Sequence, residues 1–188
     1  SNEQDDFEAI NDRSWPPDHW FDGSPQQVER IEQGIRITSP VSPANGARVI
    51  RDIRLADAGT RLRIAQRLEK VQGARHADLE PLTYTIWNVT QIQPPQVALM
   101  PLNPHSGLPH RFRLWDDTSP SSFVVDGDVG LFTPHGTDSQ KAGVDSDRWL
   151  AGIVGDMVMA EFYRRDATQR YPDGGLSAEV YTSVDYTE

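Results

Sequence analysis

This sequence predicts an all-β fold, an antiparallel β-sandwich in one domain over residues 15–188, and three observations predict it. Apolar and polar residues alternate at period two across 48–55 and again across 61–69. Fourteen Gly and fourteen Pro are spread along the 188 residues rather than clustered, which suits many short strands joined by turns. No internal repeat, heptad or low-complexity tract competes with that reading, and the length is enough for one domain with a hydrophobic core.

Taken in order, residues 1–14 form a flexible acidic segment carrying Glu3, Asp5, Asp6 and Glu8. Trp15, Pro16, Pro17, Trp20 and Phe21 follow, an aromatic stretch that two prolines hold extended. Ser24, Pro25 and Gln27 read as the start of a short helix, with Pro at its first position, that Gly34 stops. Residues 35–38 are a short strand, and 39–46 a proline-stiffened crossing that ends in a turn at Gly46.

The clearest hairpin comes next. Val49, Ile53 and Leu55 share one face of its first arm, and Leu62, Ile64 and Leu68 one face of its second, around a turn at 56–60. Residues 83–93 read as a strand closed by Pro94 and Pro95, with 96–102 returning. Further strands are expected at 111–115, 122–125 and 129–133, the last two joined by Asp126, Gly127 and Asp128. Gly155 and Asp156 form a two-residue loop between strands 149–154 and 157–163. A final strand alternates through Val180, Tyr181, Val184 and Tyr186.

The formal net charge of −10 disfavours nucleic acid and anionic membrane as partners. Sixteen of the eighteen basic residues are Arg, and six of them crowd the hairpin: Arg48, Arg51, Arg54, Arg61, Arg63 and Arg67. A solvated strand face paired with nearby acids accounts for them. The absence of Cys excludes disulfides and thiolate chemistry and leaves cytosol and periplasm equally open. No apolar run reaches the roughly 20 residues of a membrane-spanning helix. The chain opens Ser1-Asn2 without Met, as a processed end does.

No phosphate-binding glycine loop, paired-His zinc helix or serine nucleophile elbow occurs. The spacing of His19, His76, His105, His110 and His135 fits no compact metal site, and the acidic pairs Asp116/Asp117, Asp126/Asp128 and Asp145/Asp147 read as turn residues. Neither a metal nor a cofactor is expected. Of the five tryptophans, Trp115 and Trp149 read as core, whereas Trp15 and Trp20 read as a platform for the C–H faces of a sugar.

Three ordered segments, Trp15-Pro16-Pro17, residues 35–46, and Tyr171-Pro172-Asp173-Gly174-Gly175, resemble the galactose mutarotase-like β-sandwiches of the aldose 1-epimerase superfamily, in a branch of unknown function. The strand Thr85-Ile86-Trp87-Asn88-Val89-Thr90-Gln91-Ile92 is similar to the one that leads to the family's catalytic His. That position falls on Ile92, or on Gln91 if the register slips by one, and neither side chain is a general acid. Gly143-Val144-Asp145 resembles the family's sugar-binding Asp segment, and residues 179–188 its approach to the catalytic Glu. The resemblance also implies that the N-terminal strands of the family's domain have no counterpart before Trp15.

The resemblance implies Glu179, Glu188 and Asp145 as candidate catalytic carboxylates, with Asn88, Gln91, Trp15, Trp20 and His135 around a sugar. Weak or absent epimerase activity is then expected. Two alternatives stand beside this carbohydrate-binding reading. One is a non-catalytic interaction module completed by forming a homodimer. The other is a glycan-cleaving enzyme using Asp145 with Glu179. Asn88, Thr90 and Gln91 on an internal strand would need partners or a ligand, which places the expected site on that strand, the Asp145 segment and the 179–188 strand.

Overall fold

A computed structural model describes residues 19–73, 86–115, 117–135, 139–166 and 168–183. These are all-β and antiparallel, with twelve strands in three sheets. They fall into two compact units, one ending at Asn88 and the other starting at Val89.

The first unit opens with a single helical turn, α1 (His19–Asp22). A meander follows: β1 (Gln27–Ile31), β2 (Gly34–Thr38), β3 (Ala47–Leu55) and β4 (Leu62–Lys70), adjacent in that order. Directly opposed residues of an antiparallel ladder share a face. The register Val28↔Ile37, Ile35↔Ile53↔Ile64 and Leu55↔Leu62 therefore gathers the aliphatic side chains on one side. Much of that side is exposed, with Leu55 and Leu62 more than half accessible.

The opposite side is ion-paired, as the Arg-rich pattern predicts. Arg36 reaches Asp52 through two hydrogen bonds of 2.6 and 2.9 Å and lies 3.4 Å from Glu29. Arg54 stands 3.1 Å from Asp52, and Arg48 2.7 Å from Glu69 directly across the β3–β4 ladder. The hydrogen bond from Arg36 is the main reason the Asp52 carboxyl is held down at about 2.

Two expectations are corrected here. The helix expected from Ser24 is instead the β1–β2 hairpin, turning at Gln33 with φ 57°. Gln27, in the expected capping position, is the first residue of β1, and its neighbour Gln26 donates 2.7 Å to the Phe21 carbonyl of α1. Gly34 is a close-approach residue rather than a helix stop, because a Cβ there would collide with the Ile53 carbonyl oxygen of β3. The strand expected over 83–93 is the second correction. Its residues 83–85 lie outside the described ones, and 86–91 carry no strand and are mostly exposed. Thr90 Oγ1 donates 3.3 Å to Glu161 Oε1, and with the segment mostly exposed, burial imposes no need for a ligand there.

The second unit is a two-layer sandwich. Its larger sheet has the order β11 (Met157–Phe162), β10 (Trp149–Val154), β5 (Val97–Pro101), β8 (Val129–Phe132), β7 (Phe123–Asp126). The smaller has the order β12 (Ala178–Thr182), β9 (Gln140–Val144), β6 (Arg113–Leu114). Met100 and Phe132 from the first layer and Ala142, Val144 and Val180 from the second form one core, each at most 6% accessible. Gly155 supplies the positive φ of 62° in the two-residue β10–β11 loop, as its sequence predicts. Strand β9 escapes the sequence pattern because Gly143, the fourth of its five residues, carries no side chain to continue the alternation.

Candidate functional site

The register Glu179↔Gly143↔Arg113, with Tyr181↔Lys141, puts these five residues on the outer side of the three-stranded sheet. The alternate residues Ala142, Val144 and Val180 enter the core. This period-two split is what positions a polar cluster on an otherwise apolar framework.

Lys141 Nζ lies 2.6 Å from Glu179 Oε2, with both side chains largely shielded from water. The contact is a close ion pair. Burial raises the Glu179 carboxyl above the ordinary carboxylate range; Lys141 opposes the rise and the neighbouring Asp173 adds to it. Lys141 is itself fixed at its backbone: its N–H donates 2.7 Å to Thr118 Oγ1, which donates 3.0 Å to the Lys141 carbonyl.

Trp115 lies against this pair. Its ring centroid is 4.2 Å from Lys141 Nζ and 4.7 Å from the Arg113 guanidinium carbon. The ring edge passes over Gly143, where an added Cβ would come within 3.3 Å of two ring carbons and 2.5 Å of Leu176 Cδ1. Arg113 donates 3.0 Å to the Asp173 carbonyl. Asp173 holds a left-handed conformation at φ 55°, followed by Gly174 at φ 84° and Gly175 at φ 102°, so this turn can double back tightly over the sheet.

Asp145 follows β9 directly, beside Ser177, whose N–H donates 3.0 Å to the Val144 carbonyl. It is 7% accessible; Asn103 Nδ2 stands 3.5 Å from its Oδ2, and its Oδ1 has no hydrogen-bond partner among the described residues. The Ser177 hydroxyl donates to the Ser146 carbonyl, and burial pushes the nearby Tyr163 hydroxyl up to about 12. The structure thus places Asp145 just past the end of β9 and Glu179 on β12, the strand that pairs with β9.

The other expected site residues do not join them. Asn88 and Gln91 are exposed outside any strand, the first closing one unit and the second lying in the other. Trp20 is on α1 in the first unit, 41% accessible and edge-on to His19 at 6.4 Å. His135 is exposed, and its carbonyl accepts from Gln140 Nε2. Trp15 and Glu188 lie outside the described residues.

Lys141, Arg113 and Asp173 are absent from the sequence-based site, and Trp115 is assigned there to the core. One signal was available: Lys141 is one of two lysines in the chain, two residues from a glycine in an alternating stretch. Among the described residues, no group of three or more His, Asp or Glu could hold a metal ion. No family model matches the chain, and neither curated proteins nor solved structures give a match.

Proposed function

We propose that this protein is a non-catalytic interaction module that becomes complete by associating with a second copy of itself. The observation that carries this reading is strand β11, an edge strand whose Met157, Val158 and Phe162 are 66, 64 and 75% accessible. Soluble monomers seldom leave a run of large apolar side chains on an unpaired sheet edge uncovered. Sedimentation velocity on the full chain, from about 1 µM to about 1 mM, tests it. A concentration-dependent dimer is expected, and a monomer throughout that range overturns the reading.

The Trp115 cluster favours carbohydrate binding as a second reading, in keeping with the mutarotase-like resemblance. An aromatic ring beside Glu179, Lys141, Arg113 and Asp173 offers the apolar surface and the hydrogen-bonding groups that a sugar uses. Catalysis is disfavoured on that reading. A base that removes an anomeric hydroxyl proton must be free to take it, and Glu179 is ion-paired with Lys141. Titration with galactose and glucose at millimolar concentration, followed by Trp fluorescence, should give a change that Glu179→Gln reduces. A flat response in the wild type removes the sugar reading, and clear acceleration in polarimetry removes its non-catalytic part.

A further inference from the structure

We infer that β11 pairs with β11 of a second copy about a two-fold axis through Ala160, joining two five-stranded sheets into one of ten strands. The inference rests on the module reading above and specifies its interface.

Of the other edges of the described sheets, β1, β4, β6 and β7 carry features that discourage edge pairing, and β12 is half-buried to buried along its whole length. β1 has Glu29 and Arg30, and β4 has Arg63, Arg67, Glu69 and Lys70. β7 has four residues and ends on an aspartate, and β6 has two residues. β11, Met-Val-Met-Ala-Glu-Phe, has a single charge, no Pro and no Lys, and its register with β10 runs unbroken from Met157 to Phe162.

Hydrogen-bond parity then fixes which groups face outward. The Tyr163 N–H donates 3.2 Å to the Arg148 carbonyl, extending the β10–β11 register by one pair. Antiparallel ladders alternate, so the odd residues of β11 bond inward to β10. The N–H and C=O groups of Val158, Ala160 and Phe162 face the free edge.

A self-paired register must match even residues with even residues, and charge selects among the choices. With Ala160 opposite Ala160, Val158 meets Phe162 of the second copy and Asp156 meets its Arg164. Small side chains sit at the axis, apolar pairs flank them, and opposite charges close both ends. Shifting the register by two puts Asp156 opposite Phe162 and leaves Arg164 opposite Val154, which loses both charge pairs.

The experiment is sedimentation velocity on the full chain and its variants. Ala160→Pro removes an N–H that the monomer does not use, so it should leave the circular dichroism spectrum unchanged while weakening the dimer at least tenfold. Asp156→Arg and Arg164→Asp should each weaken association, and the double variant, which restores opposite charges, should recover it. A wild type that stays monomeric overturns both the pairing and the module reading. A dimer indifferent to Ala160→Pro, or weakened by both charge variants without recovery in the double, overturns this register and leaves the module reading standing.

Discussion

Each unit builds antiparallel strands with apolar residues alternating on one face, yet they bury very different things. In the second unit two sheets close on Met100, Phe132, Ala142 and Val144, all fully buried. In the first, Ala47, Val49 and Ile50 are the buried aliphatics of its sheet, while Val28, Leu55, Leu62 and Ile64 on the same pleated framework are each more than half accessible. The difference teaches that alternation specifies a face, and that a second layer is what turns a face into a core. In the first unit, order comes instead from a nine-residue β3–β4 ladder and the ion pairs on its polar side.

The largest effect that sharpens this contrast is Phe132→Ala, expected to cost about 3–5 kcal/mol because it leaves a void between two layers. Ile64→Thr, on the exposed face of the first unit, should change stability by about 0.5 kcal/mol or less. Urea unfolding of the two variants checks the pair. Comparable losses would mean that the first face is covered in solution.

Gly143→Ala comes next, at about 1–3 kcal/mol, because the new methyl must displace Leu176 and the Trp115 ring edge. A shift in Trp emission should accompany the loss of stability. Unchanged emission and midpoint would show that Trp115 does not lie over β9.

The smallest effect is a pH dependence confined to the ion-paired sheet. Asp52 has a carboxyl depressed to about 2 in the fold. Its contribution is complete above the ordinary carboxylate value near about 4 and is lost as pH falls toward 2. Thermal melts over that range should fall less steeply for Asp52→Asn than for the wild type; equal slopes would show that Arg36 does not hold Asp52 in solution.

The strands legible in the sequence are those that alternate, β3 and β4, and those flanking a recognisable turn, β7 with β8 and β10 with β11; all match their expected spans closely. Failures occurred where partner geometry decided the outcome. Gln27 and Gly34 look like helix punctuation until the β1–β2 ladder and the Ile53 carbonyl show what they meet. Residues 86–91 have strand-forming side chains, but no ladder pairs them. The site divides in the same way. Glu179 and Asp145 were reached through the resemblance of their own short segments, whereas Lys141, Trp115 and Arg113 acquire their meaning from register across three strands, which no single segment encodes.

The near-exclusive use of Arg has a practical consequence for chemical mapping. The chain's two lysines fall one in each unit: Lys70 donates 2.9 Å to the Asn45 carbonyl in the first, and Lys141 pairs with Glu179 in the second. An amine-reactive reagent therefore has two side-chain targets, and each is tied to the integrity of its own unit. Mass spectrometry of partially acylated protein would time the opening of the meander and of the sandwich separately, in one tube, without a single engineered residue.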